Sequence, residues 1–406
     1  LHRRRLSFEN CHHPVDLINC DELTGVIRDI LPTWTFTSRT LRTDDNGGAD
    51  VIVIRKTTEG YTRISPWLSQ PVTYADPVNA VCDFLVDLVK AYNDARPDFM
   101  CLHSAAVDIQ EKLVLFPDAY NVGKSLFSAH LVAVGARLFS DDVLPFDPAS
   151  GEGIALGCKP RLRLPLPDNI DNRFLEFYHQ RQGAHSQRFQ YLDLLADEQA
   201  PFDARLPVGA IVLLSRSPGQ APQLEQAPPN DIIKSLVLRN FARKAGGRAI
   251  LESLIDLAGR VPCYRLLYDD CASAAGFLQE HLKPGQAAAV KHPESSPPEN
   301  SKCNGQHGRN DNKKNITAGQ WYQSPGVFSK TIDQDRFLVN RQNNVIFHLN
   351  IMAGIIWDLI EIPATAPRIT ADLRQLFPDV DPRTIETDVK DLLAKLAANH
   401  LVDKAS

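Results

Sequence analysis

Apolar runs and apolar periodicities alternate along most of the chain, and each predicts an element. Lys112 to Pro117 (KLVLFP) is a short apolar run of the kind a buried strand presents. Asp118 to Val122 make a loop, and Gly123-Lys124-Ser125 then opens an apolar-periodic helix from Leu126 to Val134. Ala105 to Ile109 and Ala136 to Phe139 predict flanking strands. Upstream, the turn-rich Asp44-Asp45-Asn46-Gly47-Gly48 leads into a strand at Val51 to Arg55, and Tyr61 to Ile64 is its candidate partner. Pro77 to Tyr92 reads as a helix with Val78, Val81, Phe84, Leu85 and Leu88 on one face. Asn169 to Glu198 is polar and reads as helix and loop. Leu206 to Ser215 and Val261 to Tyr268 predict strands. Asp231 to Phe241, Ala249 to Ala258 and Ser273 to Leu282 predict helices. Strands with helices around them point to an α/β architecture.

The pattern breaks at Lys283. Residues 283–319 are rich in Pro, Ser, Asn, Gly and Lys, with almost no large apolar side chain. Such a stretch cannot bury enough surface to offset its ordering entropy, so it predicts a disordered linker. Patterning resumes beyond it. Val327 to Ile332, Phe337 to Asn340 and Val345 to Leu349 predict three strands, the last pair joined by the turn Arg341 to Asn344. Asn350 caps a helix reaching about Glu361. Ile369 to Phe377 and Pro382 to Asn399 predict two more, the last with Ile385, Val389, Leu392, Leu393 and Leu396 inward. Three strands and three helices in so short a segment suggest a small α+β winged-helix fold. The domains expected are a 1–100 lead-in of α+β type, a 101–282 α/β domain, the 283–319 linker and a 320–406 module.

Composition narrows the function. Of 406 residues, 43% are hydrophobic and 23% charged, as in a soluble globular protein, and the formal net charge of −5 carries no polyanion-binding signature. The eight cysteines include no C-x-x-C pair, and Cys11-His12-His13 with Cys20 matches no zinc template. With no signal-peptide pattern, reduced thiols and a cytoplasmic location are expected. No apolar run approaches the ~18 residues of a membrane span.

The candidate chemistry lies between Cys101 and Asp147. Free N–H groups at a helix N-terminus attract an anion, and Gly123 lets the backbone approach it. Lys124 would reach the phosphates and the Ser125 hydroxyl would ligate Mg²⁺. The full phosphate-loop pattern is G-x-x-x-x-G-K-[ST], and here Asp118 stands where the first Gly belongs. Ser140-Asp141-Asp142 ends the strand run after the helix. Paired carboxylates there suit Mg²⁺ binding and proton acceptance from a hydroxyl. His103 comes just before the strand Ala105 to Ile109. Further on, Lys159, Arg161 and Arg163 are spaced two apart, so an extended segment would point them one way, toward nucleotide or substrate phosphate.

The sequence LHSAAV, then VLFPDAYNVGKSLFSAHL, then ARLFSDDVLPFD resembles the HPr serine kinase family, whose P-loop fold is related to phosphoenolpyruvate carboxykinase. The resemblance implies ATP and Mg²⁺. It implies that Asp118, Ala119, Tyr120, Asn121, Val122, Gly123, Lys124, Ser125 and Leu126 line the nucleotide. It implies Asp141 as general base, Lys124 as a catalytic cation, His103 as support for the Asp pair, and Ser125 and Asp142 as metal ligands. A homo-oligomer is compatible with it, the HPr kinases themselves being hexameric. The departure at Asp118 puts turnover in question.

The phrase FLVNRQNNVIFHLNIMAGIIWDLIE, with FPDVDPRTIETDVKDLLAKLAANHLV, resembles PqqD and the wider family of RiPP recognition elements. That implies binding of a precursor-peptide leader as an added strand. Val345, Phe347 and Leu349 would lie on the receiving strand, and Asp388, Asp391, Leu392 and Lys395 near the groove. Other enzymes of RiPP biosynthesis would be further partners. DNA binding is disfavoured, because the last helix sets Glu386, Asp388 and Asp391 against Lys390 and Lys395. The two resemblances together predict a kinase acting on a Ser or Thr of a ribosomally made peptide. The alternative is an inactive scaffold that presents the peptide to a partner enzyme.

Overall fold

The computed structural model describes residues 2–42, 50–117, 123–237, 246–284, 318–340, 342 and 344–405. The chain divides into two units, Leu1–Ala245 with Ser253–Gln286, and Gly246–Glu252 with Ala287–Ser406. The expected lead-in and the expected α/β domain fall together in the first unit, apart from residues 246–252. The expected linker lies outside the described residues except at its two ends.

The first unit begins with β1 (Arg3–Phe8), β2 (Val15–Ile18), α1 (Leu23–Ile30), β3 (Phe36–Thr40), β4 (Ile52–Thr57), β5 (Gly60–Ile64), β6 (Val72–Tyr74) and α2 (Pro77–Asp94). The strands form one sheet in the order β3-β1-β2-β4-β5-β6, and β5 pairs antiparallel with β4. Asp76 caps α2 by accepting from Asn79 N, with Pro77 in the first turn. Leu6, Leu17, Ile27, Ile54, Phe84 and Tyr92 fill the core between sheet and helices. That core continues into Leu156 and Tyr191, with Val143 and Cys158 packed against it.

The central sheet follows, from β7 (Met100–Leu102), β8 (Ala105–Ile109), β9 (Lys112–Phe116), α3 (Lys124–Ala133), β10 (Arg137–Ser140), β11 (Leu144–Asp147), β12 (Glu152–Ile154), β13 (Arg161–Arg163), α4 (Asn172–Gln180), β14 (Gln182–His185), β15 (Phe189–Leu192), β16 (Arg205–Arg216), β17 (Gln223–Gln226), α5 (Pro229–Val237), α6 (Gly247–Arg260), β18 (Cys263–Tyr268) and α7 (Cys271–His281). Its order is β10-β8-β9-β16-β12-β11-β7, with β18 joined to β16 and β17 to β18. β16 runs parallel to both β9 and β18. Phe116, Phe127, Leu131, Val212, Leu266 and Leu278 bury the face under α3 and α7.

The stretch read as helix and loop over Asn169 to Glu198 also holds two strands. β15 pairs with β13 and β14 in a separate small sheet, and that pairing buries Gln190, Tyr191 and Leu192. The helix expected to reach Phe241 is described only to Val237.

The C-terminal module has β19 (Gln320–Gln323), β20 (Phe328–Ile332), β21 (Asp335–Val339), β22 (Ile346–Leu349), α8 (Ile351–Leu359), β23 (Ala364–Thr365), α9 (Ala366–Leu376), α10 (Pro382–Ala398) and β24 (Val402–Lys404). β20, β21 and β22 form an antiparallel meander. A second sheet, β23-β19-β24, joins the two ends of the module. Asn350 caps α8 by accepting from Ala353 N. Leu338, Leu349, Ile356, Trp357, Ile385 and Val389 are among the residues of one core shared by strands and helices. Among the described residues, no helix is long and apolar enough to cross a membrane.

Candidate functional site

Three segments meet at one end of the central sheet because of strand direction. β8 is antiparallel to both β9 and β10, so β9 and β10 run the same way. Their carboxyl ends therefore emerge side by side, as does the amino end of β8, where Ala105 pairs with Phe116. Ser140 Oγ donates to Ser104 O at 3.0 Å and fixes the two edges of the site together. His103, the start of α3 and Asp141-Asp142 are thus neighbours.

Asp118, Ala119, Tyr120, Asn121 and Val122 lie outside the described residues. Gly123 is the N-cap of α3 with φ +84° and ψ +27°. A Cβ would find open space there, so the demand for glycine is one of backbone conformation. Its carbonyl accepts the first helical bond, from Phe127 N at 2.8 Å. Lys124 is buried in the first turn, and Ser125 and Leu126 are half-buried beside it.

The pKa of Asp141 is shifted by its surroundings. Burial, and then the charge of Asp142, push its pKa up; the Arg161 N–H, the Ser125 side chain and the Arg161 charge act against them. Oδ2 accepts from Arg161 N at 2.9 Å. Oδ1 is buried and takes no hydrogen bond of normal geometry from a described residue. Asp142 is half-exposed and pairs with the buried His103, Oδ1 to Nδ1 at 3.1 Å. Hence His103 orients one carboxylate while the backbone of β13 orients the other.

Such a site has oxygen donors for a divalent cation. The Asp142 carboxylate and the Ser125 hydroxyl fit a hard ion. Among the described residues no three His, Cys, Asp or Glu side chains cluster as a metal site. Mg²⁺ held by one or two carboxylates together with phosphate oxygens does not need such a cluster.

The basic row expected from Lys159, Arg161 and Arg163 does not form. Lys159 precedes β13, is 6% exposed, and is neutralised by Asp29 at 2.6 Å and Asp193 at 2.7 Å. It ties α1 to the small sheet and offers no charge to a phosphate. The Arg161 guanidinium donates to Cys82 Sγ and stacks 4.5 Å from the Phe189 ring centroid. Arg163 alone of the three is exposed.

In the C-terminal module, β22 pairs only with β21 among the described residues. Asn340 N donates to Val345 O, which makes 340/345 a hydrogen-bonded pair. Antiparallel alternation then makes 338/347 and 336/349 the next such pairs, so the main chains of Ile346 and His348 face the free edge. The expected strand residues differ in role. Val345 precedes the strand and is exposed, Phe347 packs half-buried on the core, and Leu349 is inside it. On α10, Asp388, Asp391 and Lys395 are exposed and Leu392 is half-buried against the core. Sequence patterning named the strand but not its outward main chain, because ladder parity depends on the partner's register.

Residues 336–402 match the family model described as Coenzyme PQQ synthesis protein D (PqqD), and the C-terminal module is PqqD-like. Among solved structures, the chain is similar to TbiB1 in complex with the TbiA(beta) leader peptide. Identity there is 28%, over 21% of this chain and 98% of that one, with a TM-score of 0.20. It is also similar to the HPr(Ser) kinase/phosphatase from Coxiella burnetii, at 14% identity over 42% of this chain and 79% of that one, with a TM-score of 0.20. No curated protein matches the chain.

Proposed function

We propose that the chain is an ATP-dependent kinase that phosphorylates a Ser or Thr hydroxyl on a ribosomally made precursor peptide, recruited through its PqqD-like module. The observation that carries this reading is the half-buried, pKa-raised Asp141 beside Asp142, His103 and Ser125 at the N-terminus of α3. A carboxylate oxygen without a hydrogen bond of normal geometry among the described residues suits proton acceptance from a hydroxyl. The hydroxyl oxygen would form the bond to the γ-phosphorus as the bond to ADP breaks, its proton passing to Asp141. Lys124 and the N–H groups of the first helical turn would hold the negative charge of the transferred group. Ser125 and Asp142 would hold Mg²⁺, which supplies charge neutralisation when bound. The free edge of β22 suits capture of a leader as an added strand.

Isothermal calorimetry with ATP and Mg²⁺ tests the nucleotide site. Wild type should bind, Lys124→Ala should lose binding, and Asp141→Asn should keep it while phosphate transfer falls by about 10²–10⁴. Asp118, in the place of a phosphate-loop glycine, favours a second reading, an inactive scaffold that presents the peptide to a partner enzyme. Absence of binding by wild type would select that reading.

A further inference from the structure

β13 is the edge strand of its sheet, paired only with β15 among the described residues. Leu192 N donates to Pro160 O and Leu164 N to Arg188 O, so 160/192 and 164/188 are hydrogen-bonded pairs. By alternation 162/190 is the third, and the N–H and C=O of Arg161 and Arg163 point away from β15. The outward N–H of Arg161 is the one that reaches Asp141 Oδ2. The open edge of this strand therefore abuts the carboxylate assigned above to the acceptor hydroxyl. The exposed Arg163 lies on that edge and has no ion pair among the described residues.

We propose that the acceptor segment of the substrate docks here as an extended strand added to β13. This rests on the kinase reading and names how that site takes its substrate. Arg163 would exchange two main-chain hydrogen bonds with one peptide residue. The residue two positions along, about 7 Å away, then arrives at Asp141 and carries the hydroxyl. Acidic side chains on the far side of the hydroxyl would meet Arg163. The substrate class is an extended, acidic Ser or Thr segment rather than a folded helix end.

The test is an N-methyl scan of a short fluorescein-labelled peptide with a central serine and glutamates on one side. Binding to the full chain is followed by anisotropy and phosphate transfer in parallel. An added strand uses every second amide, so alternate N-methyl groups should each weaken binding by about tenfold and their neighbours should not. That alternation should vanish in Arg163→Pro, which lacks the outward N–H, and persist in His348→Pro. The scan on wild type needs no variant to fold. A flat scan, no binding at millimolar peptide, or alternation that vanishes only in His348→Pro overturns the proposal. Transfer with a flat scan would leave the kinase reading standing without this edge. Alternation without transfer would do the reverse.

Discussion

Asp16 has no exposed side-chain surface, yet it is charged. Burial pushes its carboxyl up, but the hydrogen bonds and charges of Arg5 and Arg3 outweigh that and hold it below the usual carboxylate range. Arg3 Nη2 sits at 2.5 Å and Arg5 Nε at 2.7 Å, which pins β1 to β2. A depressed folded pKa stabilises above the unfolded pKa of about 4 and loses that contribution as pH falls toward the folded one. Asp16→Asn should cost about 2 kcal/mol in urea unfolding at neutral pH, with the difference shrinking below about pH 4. Lys159 shows where single residues were not legible. Its alternation with Arg161 and Arg163 suggested a shared phosphate-facing row. Its charge is instead spent on Asp29, 130 positions away, and on Asp193. Nothing local in a sequence reveals such a partner, whereas the proximity of His103, Ser125, Asp141 and Asp142 was legible because their motifs sit at strand and helix ends.

Elements were most legible where chemistry is local. Asn350, the cap read from the sequence, accepts from the N–H three residues on, and the structure shows Asp76, Asp171 and Asp270 doing the same at α2, α4 and α7. Short strands were least legible. β19, β23 and β24 hold four, two and three residues, too few for a period to show. One connection is unusually constrained. Gly157, at φ +60°, lies where an added Cβ would strike Thr33 Oγ1 and come within 2.8 Å of Phe202 N. Those two atoms are themselves bonded at 2.9 Å. Gly157→Ala should therefore destabilise by more than about 2 kcal/mol, read as a lower midpoint in thermal unfolding.

At the scale of the molecule, the proposed function depends on two sites in one chain. On that reading, tethering would raise the concentration of a leader-bound peptide at the proposed phosphate-transfer site. Removing residues 320–406 should raise KM for the precursor by about 10²–10⁴ and leave kcat at saturating peptide largely intact. An equal loss in kcat would mean that the C-terminal module does more than recruit. The core of the first unit has a different consequence. Val143, directly after the Asp pair, packs with Leu156 and Tyr191 into the same cluster as Leu6, Phe84 and Tyr92. The wall behind the carboxylates is thus partly made by residues of β1 and α2, well upstream in the chain. Residues 101–282 are not an exchangeable cassette. Any shuffling of coding segments that moved Asp141 and Asp142 without residues 1–100 would leave the back of that carboxylate pair open to water.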